Sequence, residues 1–125
     1  MAGNPEFGKR IRELRQAKKR TDPAFSLRRF ASALKVSATF ISKMETGQFD
    51  PPSAETIKKM AELLGADPYE LLQLAKKADP ELVEMVKEQP KEMADFLRMA
   101  RERGVTAEQL AGFTQTLQSQ KRRKS

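Results

Sequence analysis

Two short helical segments with almost nothing between them constrain this chain more than any other feature. Residues 26–47 run Ser-Leu-Arg-Arg-Phe-Ala-Ser-Ala-Leu-Lys-Val-Ser-Ala-Thr-Phe-Ile-Ser-Lys-Met-Glu-Thr-Gly. Ser26 and Ser37 stand where helices start, and a serine hydroxyl accepts one of the backbone amides that a helix leaves without an internal partner. Gly47 can take the left-handed conformation that ends a helix. Only a tight turn fits between the two segments. The second segment divides cleanly by face: Phe40, Ile41 and Met44 fall on one side at helical spacing, and Thr39, Ser42, Lys43 and Thr46 on the other.

The same grammar of caps and stops covers the rest of the chain. Phe7, Ile11 and Leu14 make one apolar stripe on a helix from about Pro5 to Arg20, broken at Thr21-Asp22-Pro23. Leu27, Phe30, Ala31 and Leu34 point inward from the next helix. Ser53 begins a helix with Ile57, Met60, Ala61 and Leu64 on one face, and Gly65 stops it. Asp67-Pro68-Tyr69-Glu70 opens a fifth as a capping box, with Tyr69, Leu71, Leu72 and Ala75 as its apolar side. Beyond Lys77 three further helices are punctuated by Asp79-Pro80, Gln89-Pro90 and Gly104. The first carries Leu82, Val83 and Val86, the second Met93, Phe96, Leu97 and Ala100, and the third Leu110, Phe113 and Leu117 after a capping box of Thr106 with Gln109. Lys121 to Lys124 form a basic tail. Nothing alternates like a strand, so the expected class is all-α.

Several function classes fall away on composition. The chain has no cysteine and no histidine, which removes disulfides, thiolate and imidazole metal sites, and nucleophiles paired with histidine. Glu81, Glu84 and Glu88 sit at helical spacing among lysines and suit a solvated face; no nucleophile, base and orienter come together, so no enzyme, cofactor or metal is expected. No apolar stretch approaches a membrane span, and the first ten residues lack a secretory signal's apolar core, so the expected location is cytoplasmic. The net charge is +7 and unevenly spread: residues 1–50 hold 11 Lys/Arg against 5 Asp/Glu, residues 51–90 hold 5 against 8, and residues 91–125 hold 8 against 4. A basic surface attracts polyanions because neutralising phosphates releases condensed counterions. A solubilising surface gives the same charge, and it is the helix pair that favours DNA. The polar side of its second helix is short, free of acid and carries one lysine, which suits base edges in a major groove wide enough for a helix.

Segment 6–74 resembles the helix-turn-helix regulators of the lambda-repressor-like, or xenobiotic-response-element (XRE), group. The matching residues are Ile11-Arg12-Glu13-Leu14-Arg15, Ser26-Leu27-Arg28-Arg29-Phe30-Ala31, Val36-Ser37, Ile41-Ser42-Lys43-Met44-Glu45-Thr46-Gly47, Pro51, Ile57, Ala61, Leu63-Leu64-Gly65 and Asp67-Pro68. Two features depart from the group. Lys35 stands in the turn where glycine is usual, and a lysine forced to positive φ costs on the order of 1 kcal/mol; either the turn bears that cost or its geometry differs. The link from Lys18 to Phe25 is longer than is common.

The resemblance implies a five-helix DNA-binding domain over residues 1–77, followed by a helical region over 78–118 for dimerisation or partner binding and a tail over 119–125. Ser37, Ala38, Thr39, Ser42 and Lys43 should face base edges. Leu27 and Arg28 should meet phosphate at the start of their helix, and Thr46 and Gln48 the opposite backbone. Arg15 and Glu45 should form a structural ion pair. Ser37 is first a cap, and Lys18, Lys19 and Arg20 suit a solvated helix end better than a DNA contact. The function so implied is a prokaryotic transcriptional regulator bound to double-stranded DNA, a dimeric repressor of a palindromic operator with helix 37–46 in the major groove. Met93, Phe96, Leu97, Ala100, Leu110, Phe113 and Leu117 are the expected dimerisation residues. The alternatives are an antitoxin that binds a protein partner through its C-terminal helices and represses its own operon, an adaptor that keeps the fold without binding DNA, and a regulator cut by a peptidase at its proline-marked joints.

Overall fold

The structure, a computed structural model of the chain, describes residues 3–120. Lys121 to Lys124 lie outside the described residues. Among those described there are eight helices and no strand: α1 (Pro5–Thr21), α2 (Leu27–Ala33), α3 (Ala38–Glu45), α4 (Ala54–Leu64), α5 (Pro68–Leu74), α6 (Pro80–Glu88), α7 (Pro90–Glu102) and α8 (Ala107–Ser119). The chain divides into two compact units, one through Val83 and the other from Glu84.

Capping chemistry sets most of the starts. Asn4, Ser26, Ser37, Ser53, Asp67 and Thr106 each accept a backbone amide from the first turn of the helix they precede. Thr106 and Gln109 form the full reciprocal capping box. Asp67 accepts from the Tyr69 amide rather than closing a box with Glu70. The ends follow one rule as well. At α2, α3, α4, α5 and α7 a residue at positive φ closes the helix, with the paired backbone bonds of a Schellman motif. Glycine holds that position at Gly47, Gly65 and Gly104, and lysine at Lys35 (φ 60°) and Lys76 (φ 58°).

The core lies in the first unit. Phe7, Ile11, Phe30, Ile41, Met44, Ile57, Met60 and Leu71 are fully buried, with Leu14, Leu27, Val36 and Phe40 packed around them half-exposed. The long link after α1 contributes to it: Phe25 is buried and its ring lies 5.6 Å from that of Phe30. Tyr69, expected on the apolar side of α5, is exposed instead, because Leu71, Leu72 and Ala75 already fill the buried face and the phenol can remain in water. Arg10 pairs with Glu70 at 2.7 Å on the surface between α1 and α5. The unit takes in the start of α6 beyond residue 77. Asp79 is 3% exposed, accepts from the Glu81 amide at 3.0 Å and pairs with Lys58 of α4 at 3.1 Å.

The expected dimerisation stripes are not core in this chain. Helices α6, α7 and α8 bury no residue. Phe96, Leu97 and Phe113 are each 51% exposed and Leu117 67%, with Leu110 also exposed and Met93 and Ala100 half-buried.

Candidate nucleic-acid interface

Helix α3 is positioned by its neighbours, not by its own length. Ile41 and Met44 sink fully into the core. The backbone of α1 comes so close at Gly8 that an added Cβ would collide with the carbonyl oxygens of Met44 and Glu45. No other residue type leaves room for that approach. Beside it, Arg15 meets Glu45 in a two-pronged pair, Nε to Oε2 at 2.8 Å and the second nitrogen to Oε1 at 2.9 Å. Both side chains are largely buried, and such fork-to-fork geometry is the strong form of the interaction. Hydrogen bonding to Glu45 comes first, and its charge adds to it, in holding the Arg15 guanidinium above its ordinary value, against the opposing effect of burial.

This pairing has an electrostatic result. Glu45 is the one acid in α3, and the pair turns it inward and neutralises it. Ser37, Thr39, Ser42, Lys43 and Thr46 are exposed, and Ala38 is half-exposed. The helix therefore offers hydroxyls, methyls and one cation. Ser37 also does its capping work, accepting from the Phe40 amide at 3.0 Å.

The turn before α3 is a left-handed closure centred on Lys35. The Val36 amide donates to Ala31 at 3.0 Å and the Lys35 amide to Ser32 at 3.1 Å. The turn thus keeps the geometry usual with glycine and bears the strain of a side chain. At the start of α2, Ser26 Oγ accepts from Arg29 and the Ser26 carbonyl from Phe30. That leaves the amides of Leu27 and Arg28 directed beyond the helix end, where the dipole favours an anion. Leu27 itself is half-buried, so its amide rather than its side chain is what it can offer; Arg28 is exposed.

At the other end of α3 the Lys43 carbonyl gathers three donors: the Gln48 amide at 2.8 Å, the Phe49 amide at 3.3 Å and the Thr46 hydroxyl at 3.1 Å. Gln48 Nε2 donates to Thr46 Oγ1 at 2.9 Å. Thr46 and Gln48 are thus exposed but engaged with each other, and a phosphate contact by Gln48 would replace that bond.

A family model described as a helix-turn-helix domain matches residues 6–74, more than half of the chain. The chain belongs to the helix-turn-helix domain family. No curated protein and no solved structure matches it significantly. Membership of the helix-turn-helix family supports DNA binding and regulation. Among the described residues no cluster of acidic side chains could hold a metal ion, and no helix is long and apolar enough to cross a membrane.

One residue beside this face carries no role in the sequence reading. Phe49, in the loop after α3, is 40% exposed, and its ring lies against both Phe40 and Lys43. The available signal was an aromatic residue placed among Gln48, Asp50 and two prolines, in a loop otherwise without apolar side chains to bury it.

Proposed function

We propose that this helix-turn-helix protein is a sequence-specific regulator of the XRE, lambda-repressor-like kind, with α3 in the major groove of double-stranded DNA. The observation that carries the reading is the exposed face of α3: Ser37, Thr39, Ser42 and Lys43 all reach solvent, and the helix's one carboxylate is turned inward onto Arg15. Lys43 can donate to guanine O6 and N7, the hydroxyls can donate or accept, and Ala38 can touch a thymine methyl. Arg28, the amides of Leu27 and Arg28, Thr46 and Gln48 then fix the register through phosphates.

Two copies act together in this reading, because such domains read two-fold symmetric operators in pairs. The apolar side chains of α7 and α8, more than half of each Phe96, Leu97 and Phe113 facing solvent, are the surface assigned to the second copy. Occlusion of a promoter, and hence repression, is the mode of action in this reading.

The experiment is selection of bound sites from random duplex DNA, followed by binding across a salt series. Two basic half-site domains should give a log–log slope of roughly −5 to −9. Lys43→Ala should relax preference at one base position per half-site by about 1–3 kcal/mol, and Arg28→Ala should weaken all sequences about equally. Absence of duplex binding at low salt defeats the reading. A monomer by sedimentation at concentrations on the order of tens of micromolar defeats its dimeric part.

A further inference from the structure

The lysine on the exposed face of α3 lies over an aromatic ring. Its Nζ lies 5.3 Å from the centroid of the Phe49 ring, within the distance at which an ammonium is drawn to an aromatic face. The ring is held in turn. Its centroid is 6.0 Å from that of Phe40 at a tilt of 40°, and Phe40 packs against the core. The Phe49 amide donates to the Lys43 carbonyl at 3.3 Å, which ties the loop to the same residue whose side chain the ring attracts. Among the described residues Lys43 has no carboxylate partner, so the ring is the group that orients it.

We infer that Phe49 is a positioning residue for base recognition: its ring, backed by Phe40, holds the Lys43 ammonium in place before DNA arrives and so sharpens the choice of base that Lys43 makes. This rests on the DNA-reading role proposed for Lys43. A lysine side chain has much rotamer freedom to lose when it binds. A ring that restricts it beforehand lowers that loss at the matched site. On nonspecific DNA a mobile lysine finds some phosphate in any case, so there the ring contributes little. The cation–π contact is partly exposed, which limits the gain in discrimination to about two- to fivefold.

The test uses the full-length chain and the operator chosen by selection. Discrimination is measured at the base position that Lys43→Ala relaxes. Phe49→Ala should lower it about two- to fivefold while leaving other positions and random duplex unchanged. Phe49→Leu, which keeps apolar cover over Phe40 without a ring face, should act like Phe49→Ala. Phe49→Tyr and Phe49→Trp should retain discrimination. Added to Lys43→Ala, Phe49→Ala should have no further effect. In the free protein, the Lys43 ε-methylene protons should show an upfield ring-current shift by NMR, lost in Phe49→Leu and kept in Phe49→Tyr. Absence of that shift overturns the inference without any DNA. If Lys43→Ala does relax the base choice but Phe49→Ala costs as much in its background as in the parent, Phe49 acts on DNA or fold directly and the inference alone fails. If Lys43→Ala relaxes no position, the reading of Lys43 as a base contact fails, and the inference with it.

Discussion

From Phe7 to Ala75 the chain buries fifteen apolar side chains, and from Leu82 to Leu117 it buries none. The second stretch does not lack apolar residues. Leu82, Val83, Met85, Phe96, Leu97, Met99, Leu110, Phe113 and Leu117 all lie on helices, and all are exposed. The difference teaches that an apolar stripe is a demand for a partner and not a core. In the first region five stripes meet one another, braced by backbone approach at Gly8 and by an ion pair. In the second, three helices each present a stripe whose apolar side chains are exposed. Large contiguous apolar patches on a protein surface ordinarily mark interaction sites.

The most direct way to break this comparison is to remove one aromatic side chain from each region. Phe30→Ala should cost about 3–5 kcal/mol in urea unfolding, through lost burial and the cavity left behind. Phe96→Ala should change the same transition by no more than about 0.5 kcal/mol, while weakening self-association in sedimentation. Similar costs at the two positions would mean that α7 has a hidden core and the contrast is false.

Next in size is the pair that braces α3. Arg15→Leu leaves the Glu45 carboxylate buried and unpaired, at a cost of about 3 kcal/mol; adding Glu45→Gln should recover part of it. Arg10→Ala removes the exposed pair with Glu70 and should cost less than about 1 kcal/mol. If both substitutions cost the same in chemical denaturation, the Arg15 pair is more solvated than its geometry indicates.

Lys35→Gly should work in the opposite direction. It relieves a side chain held at φ 60° and should raise thermal stability, by about 1 kcal/mol at most. A loss of stability would mean that the left-handed turn is not the populated one.

The smallest effect is expected where the packed region gives way to the unpacked one. The Glu81 amide first, and the Lys58 ammonium after it, hold the Asp79 carboxyl below its ordinary value of 3.8, against desolvation. Stability from this tie is present in full above that ordinary value and is lost as pH falls through the lower value of the folded state. Asp79→Asn should therefore flatten the acid limb of an unfolding-midpoint profile taken down to roughly pH 2. An unchanged limb would show that Asp79 does not anchor α6.

What could be read beforehand depended on how far apart the cooperating residues lie in the chain. Serine, threonine and aspartate caps announce helix starts within three residues, and glycines announce ends, so the eight helices and their class were legible. Lys76 has the same left-handed role as Gly65, but nothing in a lysine signals it. The tie between Lys58 and Asp79 joins two ordinary surface residue types across 21 positions and leaves no periodic trace. The polar face of α3 was legible from helical spacing alone, and the Arg15 pair came from resemblance. Phe49 was not, because its partner Lys43 already had a sufficient reading as a free cation, and a ring six residues on falls outside any helical face.

Gly8 seats the end of α3 directly against the backbone of α1. At that end α3 rests on the main chain of α1, with no Cβ at Gly8 to hold them apart. A load pressed onto its exposed face passes there into the backbone of the seventeen-residue α1.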